Sequence, residues 1–458
     1  MNPTVHKAIP TMIFIACSVV IITGFSSATS SAQVADTSRA QDSIRYFLDD
    51  VLITADRMEN RVANSTASVS MVRGMELRPL PVTTFSSLFR YVPGFSVIDM
   101  DGTGRNPIIN ARGFYGGGEA EYNIVLIDGK PINDLESGLV NWNLAPLGNI
   151  ETIEIARGGS SPLYGDAALG AVVNIRTQSD QAGTNEEVLV GSMGSVLGSF
   201  QQRGMFGENS YRVAASTDLT DDFRSHSTWR ATNVRGDLSL ELSDRSSLSF
   251  STINQWVKGE NPGPLTVREA AANRKASTAY YQADMKDERR NQLHLDYSAK
   301  LSDESNLDAS VSYKRKEGTT TRTFTNPAAI FDPMTFSVIG LYDTTLYGDT
   351  KDRESLTNQL SLLLQYSLST EIAGMKYRIV AGVNETYGKL TSKYYDVHTG
   401  FANDYTGATL DRDSIVADGS NRRWSHALYL NNELTVANRL SLTVGARYDN
   451  IDDRFENV

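Results

Sequence analysis

The sequence predicts a mainly β protein in which a compact mixed α/β domain precedes an antiparallel transmembrane β-barrel. Two observations support this fold class. Up to about Gln178, one amphipathic helix and several strand-like segments are separated by glycine-rich turns. From about Glu187, segments of roughly ten residues alternate apolar and polar side chains, which is the period of strands with one apolar face.

Composition excludes several other classes. A hydrophobic fraction of 40% argues against a disordered chain and against a bundle of membrane helices. The net charge is −11, without a run of Lys or Arg, so a nucleic-acid partner has little electrostatic support. The single cysteine, Cys17, excludes a disulfide scaffold and a cysteine-based zinc site.

Residues 1–32 have the three parts of a secretory signal peptide. Lys7 precedes an apolar stretch, and small residues end at Ala32, where we expect cleavage. A membrane anchor is a weaker alternative, because the apolar run is interrupted and shorter than the ~20 residues of a membrane span. Lipid attachment at Cys17 is another, but the residues before it fit that signal poorly. Residues 33–49 are expected to be a flexible leader, and the mature protein is expected to lack a thiol.

The mixed domain contains one predicted helix and several strands. Apolar side chains at 85, 88, 89 and 92 predict an amphipathic helix that ends before Pro93-Gly94. Residues 124–127 predict a strand, and Asp128-Gly129 a two-residue hairpin turn after it. Further strands are predicted at 150–155 and 171–175.

The barrel prediction depends on alternation in the second half of the chain. In the segments 293–299, 307–313, 356–366 and 440–448, one face is apolar and the other polar. A soluble β-sandwich would also alternate. Against it, aromatic residues end several apolar faces, and residues 258–290, 317–354 and 392–420 are predicted to be long polar loops. We count about eleven or twelve strand-like segments.

Six short motifs between residues 50 and 176 give the chain a specific resemblance. They are Asp50-Val51-Leu52-Ile53-Thr54-Ala55, Val92-Pro93-Gly94, Ile109-Asn110-Ala111-Arg112-Gly113, Val125-Leu126-Ile127-Asp128-Gly129, Ile153 to Gly165, and Gly170 to Ile175. In this order they resemble a TonB-dependent outer-membrane receptor. The resemblance implies a plug domain at 56–178 inside a 22-stranded barrel. Only about half of that barrel would lie in 179–458, so we expect a C-terminally truncated sequence.

The first motif is the expected coupling segment. Asp50, Val51, Leu52, Ile53, Thr54 and Ala55 form a β-prone stretch suited to strand addition on a partner's sheet edge. An ordinary first strand of the plug is the alternative. The resemblance implies that this segment is the TonB box, which the inner-membrane energy-transducing protein TonB grips to remodel the plug.

Two arginines in the motifs are expected at the boundary between plug and barrel. Arg112 and Arg157 each follow a β-rich segment and precede a glycine. A surface arginine, worth at most ~1 kcal/mol in a salt bridge, is the alternative. The resemblance implies pairing with acidic residues of the barrel, which the sequence does not identify.

Two plug loops are the expected ligand platform. They carry Met100, Asp101 and Arg105 in the first loop and Trp142 at the end of the second. These side chains could supply apolar, cationic and stacking contacts to a small chelate. Simple exposed turns are the alternative interpretation.

No motif predicts catalysis, a cofactor or a metal site. The glycine-rich run 113–118 lacks the Lys-Ser/Thr of a phosphate-binding loop, and the histidines lack metal-ligand spacing. Asp218, Asp221 and Asp222 could bind calcium, but a solvated acidic turn fits better. The absence of a catalytic motif favours a protein that is not an enzyme, and the resemblance implies an importer in the outer membrane of a Gram-negative-type bacterium. Its expected partners are TonB, an iron-siderophore or cobalamin-like ligand and outer-membrane lipid. A passive porin or an adhesin is the alternative.

Overall fold

The computed structural model describes residues 52–53, 60–61 and most of 68–457. The gaps within the last range are 78–79, 81, 100–102, 106, 112, 114–121, 145–146, 159–160, 166–167, 178–181, 279–280, 332–333, 335–337, 398–411 and 438–439. The predicted signal peptide and leader lie outside the described residues. Among the helices that are described, none has the length and apolarity needed to cross a membrane.

The N-terminal domain, called the plug below, is a small mixed α/β unit. Its strands are β1 Leu52–Ile53, β2 Asn60–Arg61, β3 Ser68–Arg73, β4 Phe95–Ile98, β5 Ile108–Ala111, β6 Asn123–Ile127, β7 Lys130–Pro131, β8 Thr152–Arg157 and β9 Ala171–Arg176. Its helices are α1 Gly74–Leu77, α2 Phe85–Phe89 and α3 Ser161–Tyr164, with 3₁₀ turns at Trp142–Leu144 and Leu147–Asn149. The main sheet has the order β3-β8-β9-β6-β7, and only β6 and β9 are parallel within it.

The predicted helix and hairpin are both present. Helix α2 begins after Thr84, whose hydroxyl accepts a hydrogen bond from the Ser87 backbone N–H in a capping box. It ends earlier than the apolar spacing predicts, at Phe89. Between β6 and β7, Asp128 and Gly129 have φ angles of +49° and +79°, the left-handed conformation that a tight hairpin turn requires. These local predictions are confirmed.

Eleven antiparallel strands form the second half of the chain, called the wall below. They are β10 Gly183–Val190, β11 Val196–Phe206, β12 Asn209–Thr220, β13 Trp229–Ser243, β14 Ser246–Glu260, β15 Met285–Lys300, β16 Ser305–Phe331, β17 Val338–Ile372, β18 Met375–Val397, β19 Arg412–Val436 and β20 Leu440–Asn457. Each strand pairs with the next in sequence. A short helix, α4 Val267–Ala272, lies in the connection between β14 and β15.

The two faces of the wall differ as the alternation predicts. On β15, Leu293 and Leu295 are 43% and 45% exposed, whereas the intervening His294 is 3% exposed on the face turned toward the plug. Exposed aromatic residues, among them Tyr313, Trp424 and Tyr448, lie on the apolar face. The wall therefore has the apolar outer face and polar inner face of a transmembrane barrel.

The prediction of long polar loops at 317–354 is wrong for most of that range. Strand β16 has 27 residues and β17 has 35, and their pairing extends from Ser305–Leu368 to Phe331–Val338. A strand that continues beyond the lipid can have polar residues on both faces, so its alternation disappears while its backbone hydrogen bonds persist. The same error affects the ends of the ranges 258–290 and 392–420, where β15, β18 and β19 replace predicted loop.

Candidate functional site: the plug–wall interface

The hairpin turn between β6 and β7 points a carboxylate into the wall. Asp128 lies 2.7 Å from an Nη of Arg235 and 3.1 Å from an Nη of Arg212. It also accepts hydrogen bonds from the backbone N–H and the hydroxyl of Thr177, at 2.8 and 2.7 Å. Its side chain is 6% exposed. A buried carboxylate with this many donors is fully compensated, and it joins plug to wall.

Opposing effects set the ionisation of Asp128. Burial raises the pKa of this carboxyl, but Arg235, Arg212 and the hydrogen bonds from Thr177 lower it by more. The pKa therefore lies below its usual value, and the group is a carboxylate at neutral pH. Asp237 on β13 lies 2.8 Å from Arg212 and 3.0 Å from Arg235, so both arginines remain paired within the wall as well.

The loop after β7 makes a second set of ion pairs. Asp134 lies 3.0 Å from Arg290 and 2.8 Å from Lys316, and Glu136 pairs with Lys316 at 3.2 Å and with Arg353. Burial raises the pKa of Asp134, but Arg290 and Lys316 hold it well below its usual range. The plug thus presents three carboxylates to wall cations on β12, β13, β15, β16 and β17.

Between these pairs lie neutral hydrogen bonds and one ion pair of opposite polarity, in which the plug supplies the cation and the wall the carboxylate. Lys130 lies 2.9 Å from Asp296 and donates to the Ser251 hydroxyl, also at 2.9 Å. Asn141 donates to Gln255 at 2.9 Å. The segment from Lys130 to Asn141 is therefore attached to the wall chiefly through polar groups.

Arg105 makes the kind of contact that was expected of Arg112 and Arg157. Its guanidinium pairs with Asp218 at 3.2 Å and with Asp222 at 3.0 Å, and it lies 5.9 Å from the ring centroid of Trp229. The calcium alternative at these aspartates therefore has two of its three carboxylates engaged by an arginine. Met100 and Asp101, its predicted partners in ligand binding, lie outside the described residues.

Arg157 joins three parts of the plug to one another. It donates to the Ser70 hydroxyl and the Pro93 carbonyl, both at 2.6 Å, and lies 5.5 Å from the Phe95 ring centroid. These contacts lie within the plug. The expected pairing of Arg157 with a barrel acid stays a prediction. Arg112 lies outside the described residues.

Helix α3 provides a separate, largely apolar attachment. Leu163 packs against Val380 and Tyr429 on the wall, and Arg447 donates to the Leu163 carbonyl at 3.2 Å. A Cβ at Gly445 would lie 2.7 Å from Pro162, so only glycine permits this close approach. The plug therefore contacts the wall through polar pairs on one side and apolar packing on the other.

Trp142 is a core residue rather than an exposed ligand contact. It is 2% exposed, its ring centroid lies 5.0 Å from that of Phe85 and 5.1 Å from that of Phe89, and its indole N–H donates to the Pro107 carbonyl. The stacking role predicted for this side chain does not agree with this placement. The sequence does not show whether an aromatic residue at the end of a loop packs in the core or contacts a ligand. The fold distinguishes the two roles.

We expect Trp142→Ala to destabilise the plug by about 3–5 kcal/mol, because it empties a large buried volume and leaves the Pro107 carbonyl without its donor. Hydrogen exchange of β6 and β9 amides in the full-length receptor measures this change. Trp142→Phe, which retains most of the ring volume, is the matched control and should cost less. Unchanged exchange in the alanine variant would contradict a core role.

The ion pairs also predict a pH dependence. Because the folded-state pKa values of Asp128 and Asp134 lie below the usual 3.8, both groups stabilise the plug–wall interface above that pH. We expect the contribution of these two carboxylates to plug stability to stay constant from pH 7 to 5 and to fall as the pH drops below about 3.8. Hydrogen exchange across this range, compared with the Asp128→Asn/Asp134→Asn variant, measures the difference. An equal acid response in both proteins would refute the assignment.

The structure describes two residues of the expected coupling segment. Leu52 and Ile53 form β1, which pairs antiparallel with Arg61 and Asn60 of β2. Asp50, Val51, Thr54 and Ala55 lie outside the described residues. Backbone pairing at β1 shows that this part of the segment can adopt the extended form that strand addition uses.

A cavity of about 240 Å³ lies between α2 and strands β10–β13, next to Arg105 and Leu88. It is smaller than the ~300–1,000 Å³ of pockets that enclose drug-sized ligands. It is therefore a gap between plug and wall in this conformation rather than a formed ligand site.

Sequence and structure comparisons agree on the family. Residues 61–172 match the TonB-dependent receptor plug domain, and residues 211–458 match the TonB-dependent receptor-like β-barrel. A vitamin B12 transporter BtuB of Vibrio vulnificus is 29% identical over 218 residues, which are 44% of this chain and 34% of the relative. A BtuB of Photobacterium profundum is 27% identical over 215 residues, with the same coverage of 44% and 34%. The chain thus spans about a third of the length of these curated relatives.

Solved structures share the fold. The unliganded ferric citrate transporter FecA superposes with a TM-score of 0.70 at 18% identity, over 88% of this chain and 58% of FecA. A pyoverdine-bound FpvA of P. aeruginosa gives 0.69 at 14% identity, over 89% and 54%. These structures share the fold, and the family matches over residues 61–172 and 211–458 show that the chain belongs to the TonB-dependent receptors.

Proposed function

We propose that this protein imports a scarce small-molecule chelate through the outer membrane with energy supplied by TonB. The observation that carries the proposal is the attachment of the plug segment 128–136 to the wall by polar pairs centred on Asp128, Asp134 and Glu136. Water and counterions can replace such contacts when the plug moves, whereas an apolar interface would expose hydrocarbon. A plug attached in this way can be displaced and reseated.

The first candidate ligand is a cobalamin-like corrinoid. The sequence relatives are named as vitamin B12 transporters, and they match at 27–29% identity over 215–218 residues. A ferric siderophore is the second candidate, since the structural neighbours include receptors named for ferric citrate and ferripyoverdine. Those neighbours support the fold alone because their identity is below 20%.

Energy coupling would act through residues 50–55. In the proposed mechanism TonB adds a strand to this segment and pulls, and the force reaches the main sheet of the plug through β2 and β3, which follow the segment in the chain. A passive porin or an adhesin would need no such segment. Dependence of uptake on the proton-motive force therefore separates the classes.

Ligand binding tests the ligand assignment directly. Cells producing the full-length receptor should bind labelled cyanocobalamin saturably, and unlabelled cyanocobalamin should compete while ferric citrate and ferripyoverdine should not. Competition by a ferric siderophore instead would transfer the assignment to the second candidate. Binding of none of these chelates would contradict the chelate class.

A further inference from the structure

We propose that four wall cations, Arg290, Lys314, Lys316 and Arg353, form a transit site for an anionic oxygen group of the imported ligand. We call these four residues the cation patch. In the resting state, plug carboxylates occupy the patch in place of the ligand. The proposal rests on the importer function above, and it adds the charge class of the ligand and the part of the wall that the ligand passes.

The cation patch lies on three consecutive strands, β15, β16 and β17, at inward-facing positions. Lys316 of β16 pairs in register with Arg290 of β15, and Arg353 pairs with Thr320 four residues further along β16. Lys314 and Lys316 are two residues apart and so share one face of the strand. One wall carboxylate, Glu288, pairs with Arg290 and Lys286. The patch therefore has an excess of positive charge on the wall itself.

Two plug carboxylates occupy most of this patch. Asp134 pairs with Arg290 and Lys316, and Glu136 pairs with Lys316 and Arg353. Carboxylate oxygens at 2.8–3.2 Å from Arg and Lys nitrogens make the contacts that a carboxylate or phosphate of a ligand would make. When the plug loop leaves, four cations lose their plug partners, and the excess positive charge of the patch attracts anions that enter the space.

Lys314 shows that the plug does not neutralise the whole patch. Its ammonium donates to the Pro131 carbonyl at 2.6 Å, and in the part of the chain that the structure describes it forms no ion pair. Beside it lies a polar cavity of about 30 Å³, lined by residues that include Asp134, Arg290, Lys314 and Gln359. That volume holds about one water molecule. The resting patch thus keeps a cation in excess and room for a small polar group.

Charged thiol reagents can probe the patch without knowledge of the ligand. Gln359→Cys places a thiol beside the cavity, and within residues 1–458 the only native cysteine is Cys17 of the predicted signal peptide. Cells producing this full-length variant are treated with a sulfonate-bearing or an ammonium-bearing methanethiosulfonate, with and without a protonophore. We expect energised cells to react about tenfold faster with the sulfonate reagent than with the ammonium reagent.

Two double variants separate a transit site from a simple latch, because both lose the Lys316–Asp134, Lys316–Glu136 and Arg353–Glu136 pairs. The carboxylate variant loses the Arg290–Asp134 pair in addition. Lys316→Gln/Arg353→Gln removes two of the four cations and should reduce the preference for the sulfonate reagent. Asp134→Asn/Glu136→Gln removes the plug carboxylates but keeps the cations, so the preference should persist or increase. Surface labelling confirms that each variant reaches the outer membrane.

Each result decides the proposal. Energy-dependent modification with equal rates for both reagents would overturn the cation patch while leaving the importer function intact. Equal behaviour of the two double variants would reduce the patch to a latch and would also overturn the proposal. No energy-dependent increase for either reagent would overturn the importer function and the transit site together.

Discussion

Replacing Asp128 with asparagine is expected to weaken the attachment of the plug to the wall by about 3 kcal/mol, because Arg212 and Arg235 then lose a buried carboxylate. The substitution keeps the shape of the side chain. It also keeps the turn, since asparagine tolerates the left-handed conformation at φ +49° that Asp128 adopts. The weaker attachment of the plug is therefore caused by the lost charge and not by a change in the backbone. Asp237 still pairs with both arginines, which limits the effect.

Hydrogen exchange of β6 and β9 in the full-length receptor measures this loss, since these strands open only when the plug opens. Asp303→Asn is the matched control: its carboxylate is 98% exposed, lies 3.7 Å from Arg245, and should contribute nothing measurable. Equal exchange in the two variants would show that the Asp128 ion pairs do not hold the plug.

Replacing Leu52 with proline is expected to stop uptake while leaving ligand binding intact. Strand addition depends on main-chain hydrogen bonds, and proline removes one N–H donor and fixes φ near −65°. Leu52 lies in β1, 48 residues before Met100 in the first of the loops expected to meet ligand. Leu52→Val retains the donor and the β preference, so it should be nearly silent.

Sequence patterns predicted those parts of the fold that depend on local chemistry. The Asp128-Gly129 turn, helix α2 and the alternation of Leu293, His294 and Leu295 all follow from backbone preference or from a two-sided environment. About eleven or twelve predicted strands correspond to eleven observed. The long extensions of β16 and β17 were not predicted, because a strand with water on both faces has no alternation of apolar and polar side chains.

The site was less predictable because it joins residues far apart in sequence. The loop positions of Trp142 and Arg105 predict exposed ligand contacts, whereas the structure buries Trp142 in the core and pairs Arg105 with Asp218 and Asp222. The sequence patterns did not predict that most ion pairs of the interface join a plug carboxylate to a wall cation. A signal did exist, since Lys314 and Lys316 place two cations on the polar face of a barrel strand.

Uptake of labelled cyanocobalamin, with and without a protonophore, tests the central claim most directly when cells produce the wild-type, Leu52→Val or Leu52→Pro full-length receptor. The proposed mechanism predicts that wild type and Leu52→Val accumulate the ligand, that a protonophore stops both, and that Leu52→Pro binds the ligand at the surface without accumulating it. Accumulation by Leu52→Pro at the wild-type rate, persisting in the protonophore, would contradict energy-coupled import and favour a passive pore.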